Sequence, residues 1–228
     1  KSIPHVISWN LTKACNLLCT HCYLLADNVQ LGNQPDTNLP DTAAVQNAPN
    51  FNQVQCGSAN AADELDTEKA LKVIDEIAEL NSSLILILTG GEPLLRKDLF
   101  DLSRHAAGKG MMVLLGTNAC LIDDEMAKKL KDNGFSGIGI SLDSVHPEVH
   151  DSIRGAKGSW EKAVEGMKAC KRNGLEIQIQ STVFKKNYDE IPELVAFAND
   201  IGARVFNLFF LVCTGRGQDI TDITSEQY

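Results

Sequence analysis

The sequence is short of basic residues and has no long apolar run. Its 21 Lys and Arg side chains are outnumbered by 30 Asp and Glu, for a formal net charge of −9. A groove for duplex nucleic acid needs clustered cations, so this balance argues against a nucleic acid partner. No apolar stretch approaches the roughly 18 residues of a membrane span, and no secretory leader begins at Lys1. We interpret the missing start Met as a sign of a trimmed chain or a fragment.

A disulfide framework is excluded by the cysteine pattern. The seven cysteines are an odd number, and they divide into a group within eight residues (Cys15, Cys19, Cys22) and four distant ones (Cys56, Cys120, Cys170, Cys213). Clustered thiols in a chain of cytosolic character are first interpreted as metal ligands, and scattered ones as small core residues. With 228 residues, 43% of them hydrophobic, the chain can bury the core of one α/β domain or two small ones.

From Asp66 onward, short apolar runs alternate with longer segments of helical period, which is typical of βα units on a parallel sheet. Asp66 and Asp123 each precede such a helical segment, where a carboxylate caps free N–H groups. Six strands and five helices fit either a partial barrel or an open doubly wound sheet. The pattern predicts strands at 5–11, 84–88, 111–115, 137–142, 176–183 and 204–211, and helices at 67–80, 97–109, 123–133, 159–173 and 190–201.

Residues 24–65 break this pattern. They contain seven Asn, five Gln and three Pro, with five acidic residues and no Lys or Arg, so the rest of the chain carries only −4 of the charge. Such a segment buries too little apolar area to balance the entropy lost on ordering. We interpret it as a flexible insertion between the first strand and the first helix. The alternative is a lid over a site, carrying Cys56.

Cys15, Cys19 and Cys22 form a C-x3-C-x2-C motif directly after the first predicted strand. Three thiolates on one short loop bind three irons of a [4Fe–4S] cluster and leave the fourth iron open to a ligand. The alternatives are a zinc site completed by His5 or His21, and thiols that are only buried. Structural zinc usually needs a second Cys or His pair at short spacing, which is absent from the sequence.

With this loop and six strands, the chain outside the insertion resembles the radical S-adenosylmethionine (radical SAM) enzymes. The resemblance implies a partial (β/α)6 barrel of the TIM-like type, with residues 1–228 as one core domain. It implies that the open iron chelates S-adenosylmethionine (SAM). Reduction by a flavodoxin or ferredoxin then cleaves SAM to methionine and a 5′-deoxyadenosyl radical, which abstracts hydrogen from substrate. The oxygen sensitivity of such a cluster indicates a cytoplasmic location.

Polar or glycine-rich groups recur at the end of every predicted strand, where the active site of a parallel barrel or sheet lies. One such group matches the family motif that holds the amino group of SAM: Gly90, Gly91, Glu92 and Pro93. Its glycines permit a close approach that a Cβ would block and leave main-chain groups free for a ligand. The alternative is a simple turn. Thr117 and Asn118, after the third strand, either line the SAM pocket or form a turn.

Further SAM contacts follow from the resemblance. His21 lies where relatives carry a planar residue beside the adenine, or else it hydrogen-bonds the cluster. Ser141 would contact the ribose or carboxylate of SAM, with Asp143 beside it, and Arg154 would pair with that carboxylate through its planar fork. The alternatives are a helix cap for Asp143 and a surface ion pair for Arg154.

The remaining candidates are single residues. Cys213 ends the sixth predicted strand and is expected to face the rim, in contact with substrate or an additional cofactor. Three histidines without partners at metal-ligand spacing are predicted at the surface: His105, His146 and His150. Four aromatic residues are interpreted as strand core or barrel wall: Trp9, Phe206, Phe209 and Phe210.

Residues 207–217 are similar to the sixth-strand region of the branch that modifies tetrapyrroles in haem d1 and alternative haem biosynthesis. We therefore predict modification of a propionate or acetate side chain of an iron porphyrinoid, which needs no protein nucleophile. The alternatives are a peptide- or protein-modifying maturase, and a non-enzymatic iron–sulfur or zinc protein. Relatives continue into a C-terminal extension, SPASM or twitch, with auxiliary iron–sulfur clusters, and this chain is expected to stop before it.

Overall fold

The computed structural model describes residues 3–28, 64–220 and 222–228. Six parallel strands form one sheet in the order β1-β4-β5-β6-β7-β8, and a two-residue pair, β2 and β3, lies beside it. The strands are Val6–Asn10, Ala14–Cys15, Asp27–Asn28, Ile85–Thr89, Met112–Thr117, Phe135–Ser141, Glu176–Val183 and Val205–Phe210, numbered β1 to β8. The helices are Thr67–Leu80, Leu99–Gly108, Asp124–Asp132, Pro147–Arg154, Ser159–Arg172 and Ile191–Asp200, numbered α1 to α6.

The sheet is curled into a partial barrel. Side chains from all six of its strands line one cavity, among them Ser8 of β1 and Phe209 of β8, which are the two edge strands. Alternation along each strand divides the sheet into two faces. In β7, Ile177 and Ile179 are buried in the main hydrophobic core, whereas Gln180 lines the cavity. The helices therefore cover an apolar outer face and leave a more polar interior.

Most predicted elements are confirmed within a few residues. Asp66 caps α1, with its carboxylate accepting from the Lys69 N–H at 2.8 Å, and Asp123 caps α3 in the same way through Met126. The sequence analysis missed β2, β3 and α4. Helix α4 is only eight residues long, although a proline in its first turn and Gly155 at its end are ordinary helix boundaries.

The predicted insertion at 24–65 lies mostly outside the described residues, and so does Cys56. Its two borders are described, and the second is held by the loop that follows β1. Glu64 accepts hydrogen bonds from the Thr12 hydroxyl and the Lys13 N–H, at 2.5 and 3.1 Å. None of the helices in the described part of the chain combines the length and the apolar character of a membrane span.

Candidate active site at the carboxyl ends of the strands

A cavity of about 660 Å³ opens at the carboxyl ends of the strands, as the recurring polar groups predicted. Its wall is partly aromatic, because Phe209 and Phe210 face it. Ten predicted site residues line it: Cys15, Cys19, His21, Cys22, Gly90, Gly91, Thr117, Asn118, Ser141 and Arg154. Four others do not belong to the lining: Glu92, Pro93, Asp143 and Cys213.

The three motif cysteines share the loop that follows β1. Cys15 is buried, Cys19 and Cys22 are half-buried, and all three face the cavity. In the described residues, no three Cys, His, Asp or Glu side chains are placed to hold a single metal ion. Three thiols of one loop that line one cavity fit a cluster in which each binds a different iron.

Residues 90–92 form one side of the support for the cysteine loop. The Gly91 N–H donates to the Thr12 carbonyl and the Glu92 N–H to the Ala14 carbonyl, each at 2.7 Å. A Cβ on Gly91 would lie 2.2 Å from the Ala14 oxygen, so only glycine fits. The expectation that the main-chain groups here stay free is therefore wrong for these two N–H groups, which hold the loop.

The end of α4 supports the opposite side of the cysteine loop. The Leu18 N–H donates to the Arg154 carbonyl at 3.1 Å, and the Thr20 N–H donates to the Ile153 carbonyl at 2.9 Å. These carbonyls lie in the last turn of the helix, where C=O groups lack partners within the helix. The short helix that the sequence analysis missed thus fixes the position of Cys19.

Arg154 and Asp143 form a buried ion pair, with Arg154 Nη2 at 2.8 Å from Asp143 Oδ2. Asp143 also accepts from the Thr182 N–H at 3.0 Å. The alternatives of a helix cap for Asp143 and a surface pair for Arg154 are therefore wrong. Burial opposes ionisation of Asp143, but the Arg154 guanidinium, with smaller contributions from His21 and His150, holds the pKa of that carboxyl below its usual range.

His21 lines the cavity. Its Nε2 lies 3.8 Å from Asp143 Oδ2, and burial lowers the pKa of His21 to about 4, so the ring is neutral near pH 7. Its Nδ1 is buried without a hydrogen-bond partner among the described residues, as is Arg154 Nε. Because buried polar atoms are normally paired, these two mark places for a polar ligand such as SAM.

Glu92 supports the site from behind rather than lining it. Its buried carboxylate accepts from the Thr117 hydroxyl at 2.9 Å and from the Asn118 N–H at 3.0 Å, which ties the end of β4 to the end of β5. Burial raises the pKa of Glu92 to about 7, against the effect of these hydrogen bonds. Asn118 then donates to the Asn16 side chain at 2.8 Å, next to Cys15.

One histidine prediction is wrong. His150 is 1% exposed and lies beneath the ion pair, where its Nδ1 accepts from the Asp143 N–H at 3.3 Å. Burial lowers the pKa of His150 to about 3. His105 and His146 are partly exposed, as predicted, and His105 contacts Asp75 at 2.8 Å.

The sequence analysis also missed Arg216, in the segment after β8. Its Nε donates to the Cys19 carbonyl at 2.8 Å, its Nη1 to the Ala26 carbonyl at 3.1 Å, and its N–H to the Cys22 carbonyl at 3.1 Å. Gly215 before it has φ of +58°, which favours glycine. The glycines on either side of Arg216 were the signal in the sequence that marked a tight turn.

Known proteins share these features. The profile described as the Radical SAM superfamily matches residues 9–198. The chain is 33% identical over 225 residues to the AdoMet-dependent heme synthase of Methanosarcina barkeri, covering 99% of this chain and 56% of that protein. It is 32% identical over 212 residues to the pre-heme d1 synthase of Dinoroseobacter shibae, covering 93% of this chain and 45% of that protein.

The fold has solved counterparts. The crystal structure of Streptococcus suis SuiB bound to precursor peptide SuiA has a TM-score of 0.71 at 17% identity, covering 98% of this chain and 43% of that one. This likeness confirms the partial barrel. The chain spans about half the length of the curated relatives it matches. Since the profile matches more than three quarters of the 228 residues, the chain belongs to the radical SAM superfamily of enzymes.

Proposed function

We propose that residues 1–228 are the SAM-cleaving core of an enzyme that modifies a side chain of an iron porphyrinoid in haem or haem d1 biosynthesis. The observation that carries the proposal is that three thiols of one loop line a single cavity together with His21, Ser141 and Arg154. The two heme-related proteins at 32–33% identity support the substrate class. When bound, the cluster supplies the electron that cleaves SAM to methionine and a 5′-deoxyadenosyl radical.

The residues of the chain hold and orient the reactants. Cys15, Cys19 and Cys22 bind the cluster, and the rest of the cavity wall receives SAM. Ser141 suits its ribose or carboxylate, and His21 suits its adenine. The predicted pairing of the SAM carboxylate with the planar fork of Arg154 is wrong, because Nη1 and Nη2 contact Cys19 and Asp143 and leave only Nε without a partner among the described residues. Thr117 and Asn118 line the same wall and are fixed by Glu92.

Phe209 and Phe210 give an apolar surface that suits a porphyrinoid ring and excludes water from the radical.

A peptide substrate is the second candidate, and the charge of the cavity favours it. Among the described residues that line the cavity, the only Lys or Arg side chains are Arg154 and Arg216. Arg154 is paired with Asp143, and Arg216 is bound to loop carbonyls. A porphyrinoid carries several carboxylates, so its cationic partners would have to come from another part of the full-length protein. A peptide needs no such cations.

The proposal extends to partners and location. Reduction of the cluster needs a low-potential donor such as a flavodoxin or ferredoxin, and an oxygen-sensitive cluster suits the cytoplasm. The relatives that the chain matches are about twice its length. A C-terminal extension with auxiliary iron–sulfur clusters in the full-length protein is part of the proposal, on the basis of the resemblance to the tetrapyrrole-modifying branch. A non-enzymatic iron–sulfur or zinc protein is the alternative outside this class, and it predicts no SAM chemistry.

The function is tested by SAM cleavage. The chain, reconstituted anaerobically with iron and sulfide and then reduced with dithionite, is expected to convert SAM to 5′-deoxyadenosine, measured by liquid chromatography. A protein with an intact, reducible four-iron cluster that forms none would contradict the enzyme proposal. Full-length protein given a porphyrinoid deuterated in its side chains is expected to place deuterium in 5′-deoxyadenosine. Deuterium transfer from a labelled peptide instead would support the second candidate.

Cys213 remains a candidate substrate contact. It is exposed and lies outside the cavity lining, although its neighbours Val212 and Thr214 belong to that lining. We expect Cys213→Ala in the full-length protein to leave SAM binding unchanged and to lower product formation about tenfold or more, because a substrate contact positions the reacting carbon. Two quantities are measured and compared with the parent: the amount of product formed per turnover and the affinity for SAM. Undiminished turnover of the substrate would remove Cys213 from the site.

A further inference from the structure

Cys19 differs from the other two cluster cysteines because two guanidinium groups converge on it. Arg154 Nη1 donates to the Cys19 sulfur at 3.7 Å, and Arg216 Nε donates to the Cys19 carbonyl at 2.8 Å. Arg154 comes from α4, whereas Arg216 comes from the segment after β8. Two distant parts of the chain thus hold one cysteine, at its sulfur and at its main chain.

The sulfurs of the other two motif cysteines lack a charged hydrogen-bond donor among the described residues. The sulfur of Cys15 accepts a main-chain N–H from Leu17 at 3.4 Å. Within the residues that the structure describes, no hydrogen bond reaches the sulfur of Cys22. A charged donor to sulfur is stronger than a neutral one, particularly in a buried site. Among the described residues, the charged hydrogen-bond donor to a motif sulfur therefore lies at Cys19.

The positive charge of Arg154 next to Cys19 is opposed by the carboxylate of Asp143 on the other side of the guanidinium. Arg154 uses Nη2 for Asp143 at 2.8 Å and Nη1 for the Cys19 sulfur, so its planar fork bridges a carboxylate and a thiol. Asp143 is 0% exposed and cannot turn towards water. This carboxylate fixes the guanidinium and also opposes its charge. Lysine lacks the planar fork, so its ammonium would not hold the two contacts in this fixed geometry.

We propose that Arg154, backed by Asp143 and with Cys19 held in place by Arg216, sets the reduction potential of the cluster through Cys19. Arg154 acts directly on the sulfur, and Arg216 is a positioning residue that keeps Cys19 within its reach. Reduction adds one electron from an external low-potential donor, with no bond formed or broken. The added negative charge is stabilised by a cationic donor at a ligand sulfur and destabilised by a carboxylate behind it.

This inference rests on the proposed cluster, but its test does not need SAM cleavage. The reconstituted protein without SAM is titrated with dithionite, and the reduced cluster is followed by electron paramagnetic resonance. In Arg154→Gln we expect the reduction potential to become more negative by about 59 mV or more. For a one-electron couple this is a tenfold change in the reduction equilibrium. Arg154→Lys should fall between this variant and the parent.

The direction in which the reduction potential changes distinguishes a residue that tunes the cluster from one that has only a structural role. Asp143→Asn keeps the shape of the side chain but removes the opposing charge, so its potential is expected to become less negative. Arg216→Lys should shift the potential downward by less than Arg154→Gln. A residue that only holds the fold would change the amount of cluster but not the potential of the fraction that remains.

Arg172→Gln is the control, because Arg172 pairs with Asp124 and Glu165 on the surface and should leave the potential unchanged. Where Arg154→Gln does not retain a cluster, Asp143→Asn and Arg216→Lys decide the matter. Potentials equal to that of the parent in every variant that holds a cluster, or a downward shift in Asp143→Asn, would overturn the proposal. Shifts of the expected sign without SAM cleavage would support it and contradict the proposed function.

Discussion

Cys22→Ala is expected to remove the cluster and all SAM cleavage. Cys22 is one of only three thiols on the loop, and two thiolates cannot hold three irons of a cubane. Iron should fall from about four atoms per reconstituted chain to near none, with loss of the brown absorbance and of 5′-deoxyadenosine. Cys22 is half-buried at the cavity, so the fold should persist, which circular dichroism checks.

Cys170→Ala is the matched control for the cysteine variant. Cys170 is fully buried in the main core on α5 and lies outside the cavity lining. Its replacement should cost about 1 kcal/mol of unfolding free energy through a small void, and iron should remain. Full iron in Cys22→Ala, or equal iron loss in both variants, would contradict the assignment of the motif as the ligand set.

Gly91→Ala is expected to have the second largest effect. The added Cβ would lie 2.2 Å from the Ala14 oxygen and 2.7 Å from the Ala14 carbonyl carbon. Both atoms are main chain, so no side-chain rotation relieves the clash and the cysteine loop itself must move. We expect a loss of about 2–4 kcal/mol in unfolding free energy, measured by urea denaturation, and poor iron loading.

Gly108→Ala provides the comparison. Gly108 ends α2 at the surface, and a Cβ there meets no atom within 4 Å. The same substitution should therefore be neutral or stabilise the protein by about 0.5–1 kcal/mol, with normal iron loading. If Gly91→Ala behaved like Gly108→Ala, residues 90–92 would not support the cysteine loop as the structure indicates.

The fold was largely predictable because its signals are local. Strand and helix periods, the Asp66 and Asp123 caps and the polar groups at strand ends all lie within short windows of sequence. The cysteine spacing likewise predicted a loop that faces the cavity. Such local features need no knowledge of distant partners, so they indicated a parallel sheet and the edge at which its site would lie, whereas the choice of a partial barrel came from the family resemblance.

The contacts between side chains within the site were not predictable, because they join residues that are distant in the sequence. Nothing near Arg154 in the sequence indicates that Asp143 and the Cys19 sulfur share its guanidinium, and nothing near His150 indicates that it lies beneath that pair. The role of Arg216 depends on a contact that spans 197 residues. Side chains of these types are usually exposed, and only the folded partial barrel shows which of them are buried.

The supports of the cysteine loop also have a consequence for how the protein is made. The loop is held by Gly91, then by Arg154, and last by Arg216, in the order in which a ribosome adds them. At about 5–20 residues per second, Arg216 is added roughly 10 to 40 s after Cys22. The contacts that hold the loop are therefore complete only after the segment that follows β8 has been made.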